Sequence, residues 1–391
     1  MMNKNEWKKV KLGDVCKIVS GSTPKTHVKE YWNGNINWLT PAEVKENEII
    51  IYNTERKITE KAVKDTNLKL LPKGTVILSS RAPIGKIAIA GTEMYCNQGF
   101  KNLICSEKIY SLYLYYFLKK KKIFLNSLGR GATFKEISKT IVENIEITLP
   151  NYEEQIYISK IFNNLDNILK LKQQQLFEFE KLVKFQFLEI FGDPILNEKN
   201  WKKIFLSDCC VINPKKNEIK LDDNFSLSFI GMADVSEKGK INTSNIKLYK
   251  EVKNGFTYFK ENDVLFAKIT PCMENGKGGI TKNLYNKIGF GSTEFHVLRP
   301  IENISNSYWL YYLTMLPFFR KNAEKNMTGS AGQKRVPVTY FQKTLIALPP
   351  IELQNKFADF VKQVDKSKVE LQKSIDETQL LFDSLMDKYF G

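Results

Sequence analysis

The amino-acid sequence of this chain is written twice, and that duplication limits its architecture more than any other feature. Trp7-Lys-Lys-Val10 returns as Trp201-Lys-Lys-Ile204, and Phe191-Gly192 returns as Phe390-Gly391. A period of about 195 residues is far longer than the roughly 20–50 residues of a solenoid repeat. The chain is therefore predicted to hold one domain fold in two copies.

The matches between the copies lie on hydrophobic and turn residues, whereas the stretches between them diverge. They keep one order along both halves, with small insertions and deletions: Trp38-Leu-Thr-Pro-Ala42 with Phe229-Ile-Gly-Met-Ala233, Val76-Ile-Leu78 with Val264-Leu-Phe266, Leu114-Tyr-Tyr116 with Leu310-Tyr-Tyr312, and Leu149-Pro150 with Leu348-Pro349. A shared framework with divergent loops is typical of one fold that carries two different specificities.

Each copy divides into a mixed α/β part and a long helix. Short β-type runs alternate with Gly, Pro and Asn turns. Residues 111–124 and 307–320 have aromatic and Leu residues at the spacing of a helix. The predicted α/β domains span residues 1–148 and 193–347, and the predicted long helices span residues 149–192 and 348–391. The predicted fold class is therefore α+β.

The two long helices are predicted to begin after Leu149-Pro150 and Pro349-Pro350, because proline is common just before or at a helix start. With no Gly or Pro over about 40 residues, each would reach about 60 Å. An antiparallel coiled coil is the simplest arrangement of two such helices. The alternative is two separate helices, each packed on its own domain. Apolar residues recur at heptad-like spacing along both, among them Ile161, Leu165, Leu169, Leu176, Phe360, Val364, Leu371 and Leu381.

Composition narrows the classes of function. There are 59 Lys and Arg against 43 Asp and Glu, a net charge of +16. A protein this basic usually binds a polyanion, most often nucleic acid, although a Lys-rich proteome alone would give a similar excess. The N-terminus has no apolar signal core, no run approaches a membrane span, and the six cysteines form no CxxC pair. A cytoplasmic protein with reduced thiols is expected.

The sequence lacks the residue sets of common catalytic sites. No GxxxxGK[ST] loop is present to bind ATP, and no [DNS]PP[YFW] motif is present to hold a flipped base for methylation. His27 and His296 are the only histidines, too few for a zinc site or His-based catalysis. Glu43-Val-Lys45 fits one element of a metal nuclease, but the matching Asp234-Val-Ser236 lacks the lysine. We therefore expect no catalytic residue and no metal site.

Polar and basic loop clusters recur at matching places in both halves. Their side chains are those that match base edges or bind phosphate. Any one cluster alone is typical of a solvated turn, but six in a basic chain favour DNA binding. The Asn-Gln pair at 97–98 and the threonine at 293 are as suited to capping a strand end. The candidate DNA-binding residues are Ser22, Thr23, Lys25, Arg81, Lys86, Asn97, Gln98, Arg130, Thr133, Lys135, Lys215, Lys216, Lys268, Lys277, Thr293, Ser330, Gln333, Lys334 and Arg335.

Four features in duplicated order resemble the specificity subunits of Type I restriction–modification systems, over nearly the whole chain. Each half opens on W-K-x-[VI], and has a hydrophobic strand followed by a proline turn and a later Gly-then-Lys loop. Each long helix is entered through an L-P-x-x-E-x-Q motif, at Leu149-Pro-Asn-Tyr-Glu153-Glu-Gln155 and Leu348-Pro-Pro-Ile-Glu352-Leu-Gln354. Each motif is weak alone, and their repeated order is specific.

The resemblance implies a non-catalytic subunit with two target-recognition domains, each reading one half of a split site in double-stranded DNA. The long helices would space the domains and dock two DNA methyltransferase (M) subunits through their apolar stripe residues, and restriction (R) subunits would join. S-adenosylmethionine, ATP and Mg²⁺ would belong to those partners. The alternatives are a related restriction system with a fused methyltransferase–nuclease partner, a non-specific coiled-coil DNA-binding structural protein, and a cryptic nuclease.

Overall fold

The computed structural model describes residues 7–46, 48–81, 83–130, 135–194, 196–330 and 332–391. The chain forms two compact units. The first comprises Met1–Gln174 with Gln372–Gly391, and the second comprises Gln175–Leu371. Because each long helix belongs partly to one unit and partly to the other, the units do not end where the α/β parts end.

The first half of the chain contains ten strands and six α-helices within its described residues. The strands are β1 Lys8–Lys11, β2 Cys16–Ser20, β3 Trp32–Leu39, β4 Ile50–Ile51, β5 Lys57–Ile58, β6 Val76–Ser79, β7 Ile87–Ala90, β8 Tyr95–Cys96, β9 Phe100–Cys105 and β10 Glu146–Leu149. The helices are α1 Leu12–Val15, α2 Glu60–Asp65, α3 Ser111–Lys120, α4 Lys122–Ser127, α5 Lys139–Glu143 and α6 Tyr152–Phe191.

The second half repeats this series. Its strands are β11 Lys202–Phe205, β12 Cys210–Ile212, β13 Ser226–Ile230, β14 Ile246–Leu248, β15 Thr257–Lys260, β16 Val264–Ala267, β17 Gly278–Ile280, β18 Ile288–Gly291, β19 Phe295–Pro300 and β20 Leu345–Leu348. Its helices are α7 Tyr249–Val252, α8 Ser307–Met315, α9 Pro317–Lys325, α10 Val338–Lys343 and α11 Ile351–Phe390.

The sheets of the two halves share one topology. The larger sheet has the order β2-β9-β6-β7 in the first half and β12-β19-β16-β17 in the second. The first half adds β4 beside β7, in parallel. A smaller sheet has the order β5-β3-β8 in the first half and β14-β13-β18-β15 in the second. A two-stranded ladder, β1-β10 or β11-β20, precedes each long helix. The two halves are therefore mixed α/β copies of one fold, as the repeat predicted.

The central strands β6 and β16 are mainly apolar on both faces, which explains their place inside each domain. All four residues of β6 and of β16 are buried. The predicted helices at 111–124 and 307–320 are each observed as two shorter helices. In the second half the break is explained by Pro317, which begins α9 because proline has no N–H to continue α8.

The long helices are part of the hydrophobic cores. In the first unit, Phe162 of α6 lies 5.3 Å from Phe382 and 5.6 Å from Phe390 of α11, by ring centroid. The Lys172 ammonium donates to the Ser374 hydroxyl at 2.7 Å. Residue numbers increase along α6 while those of the contacting residues decrease along α11. The two segments therefore run antiparallel within this unit. In the second unit, Phe187 of α6 packs at 5.4 Å on Phe357 of α11.

A buried glutamine ties each long helix to its own domain. The Gln155 side chain accepts from Tyr110 N at 2.8 Å and donates to the carbonyls of Lys108 and Pro150, each at 3.0 Å. The matching Gln354 accepts from Asn306 N at 2.9 Å and donates to the carbonyls of Ile304 and Pro349. Both glutamines are fully buried. The glutamine of the helix-entry motif is thus a clamp on backbone atoms.

Candidate nucleic-acid interface

Four loops of the first domain meet at one end of its larger sheet. They are residues 20–26 after β2, 79–86 between β6 and β7, 96–99 between β8 and β9, and the described parts of 128–137 between α4 and α5. We call them the first loop cluster. Backbone hydrogen bonds join them: Gly21 N to Phe100 O (3.2 Å), Ser22 N to Cys96 O (2.9 Å), Ser80 N to Gly99 O (2.8 Å) and Ile137 N to Ser80 O (2.9 Å). The loops therefore form one connected surface.

The second domain joins the equivalent loops, and its bonds from Lys268 N and Val336 N match those of Ser80 N and Ile137 N in the first domain. The second loop cluster comprises 213–217 after β12, 268–277 between β16 and β17, 292–294 before β19, and the described parts of 327–336 between α9 and α10. Its backbone hydrogen bonds are Asn213 N to Val297 O (2.8 Å), Lys268 N to Glu294 O (2.9 Å), Val336 N to Lys268 O (2.9 Å) and Thr270 N to Lys334 O (3.1 Å). The loop groups that the sequence singled out come together in each half.

An ion-pair network anchors the last loop of the first cluster. Glu136 accepts from Arg81 and from Lys101, each at 2.9 Å. Partial burial raises the pKa of Glu136, but the hydrogen bonds from Lys101 and Arg81 outweigh that effect and hold its pKa below the ordinary value. Arg130 closes the base of this loop through paired backbone bonds with Glu136. Arg81, a predicted DNA-binding residue, is thus engaged in holding the loop.

The second domain anchors its equivalent loop with the charges reversed. Arg335, at the position of Glu136, pairs with Glu294 through three contacts of 2.8–3.1 Å. The hydrogen bonds from Arg335 lower the pKa of Glu294. The reversal keeps the loop attached, while the residue at the base of the loop changes from a negative to a positive charge. A predicted DNA-binding residue is again partly neutralised by an internal partner.

Three more of the predicted cations bind backbone carbonyls. Lys86 donates to Pro41 O at 2.8 Å, and Lys277 donates to Met232 O at 3.1 Å. These two lysines occupy equivalent places, since 41 and 86 match 232 and 277 in the repeat. Lys216 donates to Lys253 O at 2.5 Å and to Asn254 at 3.1 Å. All three remain half-buried, so their first role is to fasten loops.

Five of the remaining predicted cations are available to solvent. Among the described residues no ion pair engages Lys25, Arg130, Lys135, Lys215 or Lys334, and each of them is exposed. Lys268 is half-buried and lies near Glu294, whose pKa it helps to lower. Five exposed cations on two connected loop surfaces form a favourable environment for a polyanion.

The predicted polar residues also divide into some that hold the loops and some that are exposed to solvent. Asn97 caps its own turn by accepting from Gly99 N at 2.9 Å, and the Thr23 hydroxyl donates to Gln98. Ser22 is half-buried and its N–H is used in the cluster. Thr133 lies outside the described residues. The exposed polar side chains are Gln98, Thr293, Ser330 and Gln333.

Aromatic residues under the first loop were not singled out from the sequence. The indole N–H of Trp38 donates to Ser22 O at 3.1 Å, and that of Trp32 donates to Lys25 O at 3.3 Å. The exposed Arg56 lies 4.4 Å from the Trp32 ring centroid. The second domain places Lys247 at 4.3 Å over Phe229, the counterpart of Trp38. The aromatic residue repeated at Trp38 and Phe229 was a signal for this feature in the sequence. Arg56 and Lys247 gave no such signal, because they lie in stretches that diverge between the two copies.

His296 is a structural residue at the centre of the second loop cluster. Its Nε2–H donates to Val336 O at 2.8 Å, and its Nδ1 accepts from the Asn213 side chain at 3.0 Å. The imidazole therefore joins the first and last loops of the cluster in its neutral form. Burial lowers the pKa of His296 to about 4, and the nearby Lys268 adds to this effect, against opposing contributions from Val336 O and Glu294.

This depressed pKa predicts an acid-sensitive second domain. The unfolded histidine titrates near pH 6.5, so unfolding takes up a proton whenever the pH lies between that value and about 4. Stability present above pH 6.5 is therefore lost as the pH falls, by about 2 kcal/mol between pH 7 and pH 5. Denaturant titration at both pH values measures the loss. A His296→Gln chain should lack this component, and equal pH dependence in both chains would contradict the assignment.

The heptad-like residues of the long helices lie mostly inside the units. Leu169 and Val364 are buried, at 7% and 6% exposure. The half-buried residues are Ile161, Leu165, Leu176, Phe360 and Leu371, whereas Leu381 is 50% exposed. Periodicity identified the face that packs within each unit. Leu169 and Val364 could contact a partner protein directly only if their unit opened and exposed these side chains.

Exposed apolar residues are concentrated on α6. Within the first unit its exposed members include Tyr157 and Leu171, and within the second unit they include Phe177, Phe185 and Leu188. The positions of α11 that lie 199 residues later are polar in all five cases: Lys356, Glu370, Asp376, Ser384 and Asp387. Exposed aromatic and Leu side chains of this kind are typical of protein–protein contact surfaces.

Neither a membrane span nor a metal site is found in the described part of the chain. No helix there is both long and apolar enough to cross a bilayer. No group of three or more His, Cys, Asp and Glu side chains there is placed to hold a metal ion.

Comparison with protein families matches the chain twice to the Type I restriction modification DNA specificity domain, over residues 4–181 and 198–378. A similar protein is the Type I restriction enzyme MjaIX specificity subunit of Methanocaldococcus jannaschii, 28% identical over 98% of this chain and 92% of that protein. The EcoAI specificity subunit of Escherichia coli is 39% identical over 48% of this chain and 32% of that protein.

Two solved structures share the fold. The S subunit of a Type I restriction–modification system from M. genitalium has a TM-score of 0.58 at 16% identity, covering 100% of this chain and 98% of that one. A chain from a study of complex assembly and conformational transition in the type I R-M system has a TM-score of 0.60 at 19% identity, covering 98% and 97%. With one family match in each half, the chain belongs to the Type I restriction–modification DNA specificity family.

Proposed function

We propose that this chain reads a split sequence in double-stranded DNA, each domain recognising one half through its own loop cluster. The observation that carries the proposal is that two clusters built from matching loops, with two matching backbone connections, carry different side chains at equivalent places. The shared loop framework would present both surfaces to a duplex in a similar manner. Different side chains give each surface its own pattern of donors and acceptors for base edges.

Exposed cations and polar residues would divide the work within a cluster. Lys25, Arg130, Lys135, Lys215 and Lys334 are suited to phosphate, because each is an exposed charge without an ion-pair partner among the described residues. The hairpin of the second cluster adds Ser330 and Gln333, both exposed, as candidates for base reading. Arg81 and Arg335 are better suited to holding the loops than to leaving their carboxylate partners for DNA.

The long helices would act as the spacer between the half-sites, pairing as an antiparallel coiled coil. This is supported by the antiparallel contacts of Phe162 and Lys172 with α11 in the first unit. Methyltransferase subunits, two of them by family resemblance, would dock on the exposed apolar residues of α6, such as Phe177 and Phe185. The exposed Leu381 is the one residue of the predicted stripe that offers a comparable contact on α11.

Catalysis and its cofactors would lie on the partners, in the cytoplasm of the host. The methyltransferase subunits would bind S-adenosylmethionine, and the restriction subunits would use ATP and Mg²⁺. The absence of a P-loop and of a base-methylation motif from the sequence supports this division. The chain itself would supply only recognition and assembly.

Selection from a pool of randomised duplex DNA tests the proposal. The purified chain, or its complex with methyltransferase subunits, should enrich two short conserved blocks separated by a gap of fixed length and free sequence. Binding to the enriched site should resist an excess of random competitor. The chain alone, with Mg²⁺, ATP and S-adenosylmethionine, should leave DNA unmodified. Enrichment of one continuous block, or of no sequence, would contradict the split-site function.

Lys334 offers a direct test of phosphate binding. Lys334→Ala removes an exposed charge with no ion pair among the described residues, so affinity should fall and the slope of log K against log salt should decrease by about one unit. Fluorescence anisotropy across a salt series measures the slope. Lys366→Ala, an exposed lysine on α11, is the control and should leave the slope unchanged. An unchanged slope in Lys334→Ala would place that residue away from DNA.

A further inference from the structure

The first domain places two cysteines opposite each other on adjacent strands. Cys16 at the start of β2 pairs with Cys105 at the end of β9. Ser106 N donates to Val15 O at 2.9 Å, which is the pattern of a non-hydrogen-bonded pair. Facing Cα atoms in such a pair lie about 4.5 Å apart, with the side chains close. Since a disulfide spans Cα distances of about 4.4–6.8 Å, the strand pairing already holds both residues within bonding reach.

The two thiols differ in access. Cys16 is 6% exposed and belongs to the hydrophobic core, against which the half-buried Cys105 packs. The hydrogen bond with Cys105, and then burial, raise the pKa of Cys16 above its ordinary range. Cys16 therefore stays protonated, and Cys105 is the sulfur that a small solute reaches first.

The second domain does not repeat this pair. At the equivalent place in its larger sheet, Cys210 of β12 faces Pro300 of β19. Cys210 and its neighbour Cys209 are both buried, at 1% and 0% exposure. Cys272 is part-exposed like Cys105 but stands in a loop, with no strand-paired cysteine opposite it. Among the described residues, Cys16 and Cys105 are thus the one pair of cysteines on facing strands, whereas the adjacent Cys209 and Cys210 interact with each other in the buried interior.

We propose that Cys16 and Cys105 form a thiol-oxidation site that reacts with small hydroperoxides. The Cys105 thiolate attacks the terminal peroxide oxygen, the O–O bond breaks, and hydroxide or alkoxide leaves to take up a proton. The resulting Cys105 sulfenic acid is then attacked by Cys16 sulfur. The S–S bond forms as the S–O bond breaks, and water leaves with the Cys16 proton. Two thiols are oxidised and one peroxide is reduced.

The disulfide would join the first residue of β2 to the last residue of β9. The segment between them carries three of the four loops of the first loop cluster. Because the strands are already paired at this rung, the bond leaves their register unchanged and acts mainly on the unfolded chain. The oxidised first domain should therefore unfold at a higher temperature than the reduced one. This inference is independent of the DNA sequence that the chain reads.

Mass spectrometry tests the site on the full chain. After brief exposure to hydrogen peroxide, the intact protein should lose about 2 Da, the mass of two hydrogens, and regain it with dithiothreitol. Alkylation after denaturation should modify six cysteines in the reduced chain and two fewer in the oxidised chain. Peptide mapping should find the 16–105 link. The rise in melting temperature should disappear on reduction.

Three variants separate the proposed pair from other thiol chemistry. Cys105→Ala changes a part-exposed residue, so it should fold and should lose the mass change and the stabilisation. Cys16→Ala should instead let Cys105 gain oxygen or a mixed disulfide, and Cys272→Ala should behave as the parent chain. The proposal is overturned if the parent's Cys105 gains oxygen without forming the link, or if the loss of two thiols persists in Cys105→Ala.

Discussion

Exchanging residues 7–148 for the matching domain of a relative should change one half of the recognised sequence and leave the other half unaltered. All four loops of the first loop cluster lie in this segment, together with the Glu136 network that anchors the last of them. No residue of 201–347 changes, so the donors and acceptors of the second loop cluster stay in place. The chimaera should therefore recognise a hybrid site with one new block.

The exchange should preserve folding where the relative's domain keeps the aromatic side chains that pack on α6 and α11. Gln155 of α6 binds the domain only through backbone atoms, Tyr110 N and Lys108 O, which any domain of the same fold would present. The boundary needs care at one point, because Leu149 of β10 pairs with Lys8 of β1. A second chimaera that ends at Pro150 keeps that whole ladder on one side of the junction.

Methylation-aware sequencing of cells that carry the chimaera with its methyltransferase partner would report both half-sites and their gap. The reciprocal exchange of 201–347 is the matched control and should alter only the other block. If either exchange changed both blocks, recognition would be a joint property of the whole chain. If neither exchange changed any block, the loop clusters would not be the reading surfaces.

The repeat and the hydrophobic pattern were sufficient to predict much of the fold. Core residues such as Val76 and Val264 recur because both copies must bury the same strands, and burial constrains residue type. The long helices were predictable because no Gly or Pro interrupts them. The helix breaks near Lys121 and Leu316 were not predicted: the apolar spacing continues across the first, whereas Pro317 was a signal in the sequence for the second.

The internal use of the loop cations could not be predicted from the sequence. Glu294 and Arg335 stand 41 residues apart, and nothing in the spacing indicates that they meet. Lys86 and Lys277 are fastened to main-chain carbonyls, which every residue offers, so their partners leave no sequence signal. Residue type singled out loops that come together in each half, but it did not separate the cations that hold a loop from those that face solvent.

Replacing either buried glutamine by leucine should destabilise its own domain strongly and leave the other domain unaffected. Gln155→Leu leaves Tyr110 N and the carbonyls of Lys108 and Pro150 without their side-chain partner. Each buried backbone group left unsatisfied costs about 1–3 kcal/mol, so the loss should be about 3 kcal/mol or more. Gln354→Leu should act in the same way on Asn306 N in the second domain.

Hydrogen–deuterium exchange followed by mass spectrometry locates the effect. Gln155→Leu should speed exchange around Tyr110 and the start of α3, with no change around Asn306 and α8. Gln155→Glu keeps the side-chain shape but places an oxygen against two carbonyls, so it should be similarly destabilising and would exclude an effect of leucine's shape. Gln173→Leu, at an exposed position of the same helix, is the control and should change stability by no more than about 0.5 kcal/mol. Equal exchange in Gln155→Leu and Gln173→Leu would show that the buried amide is dispensable.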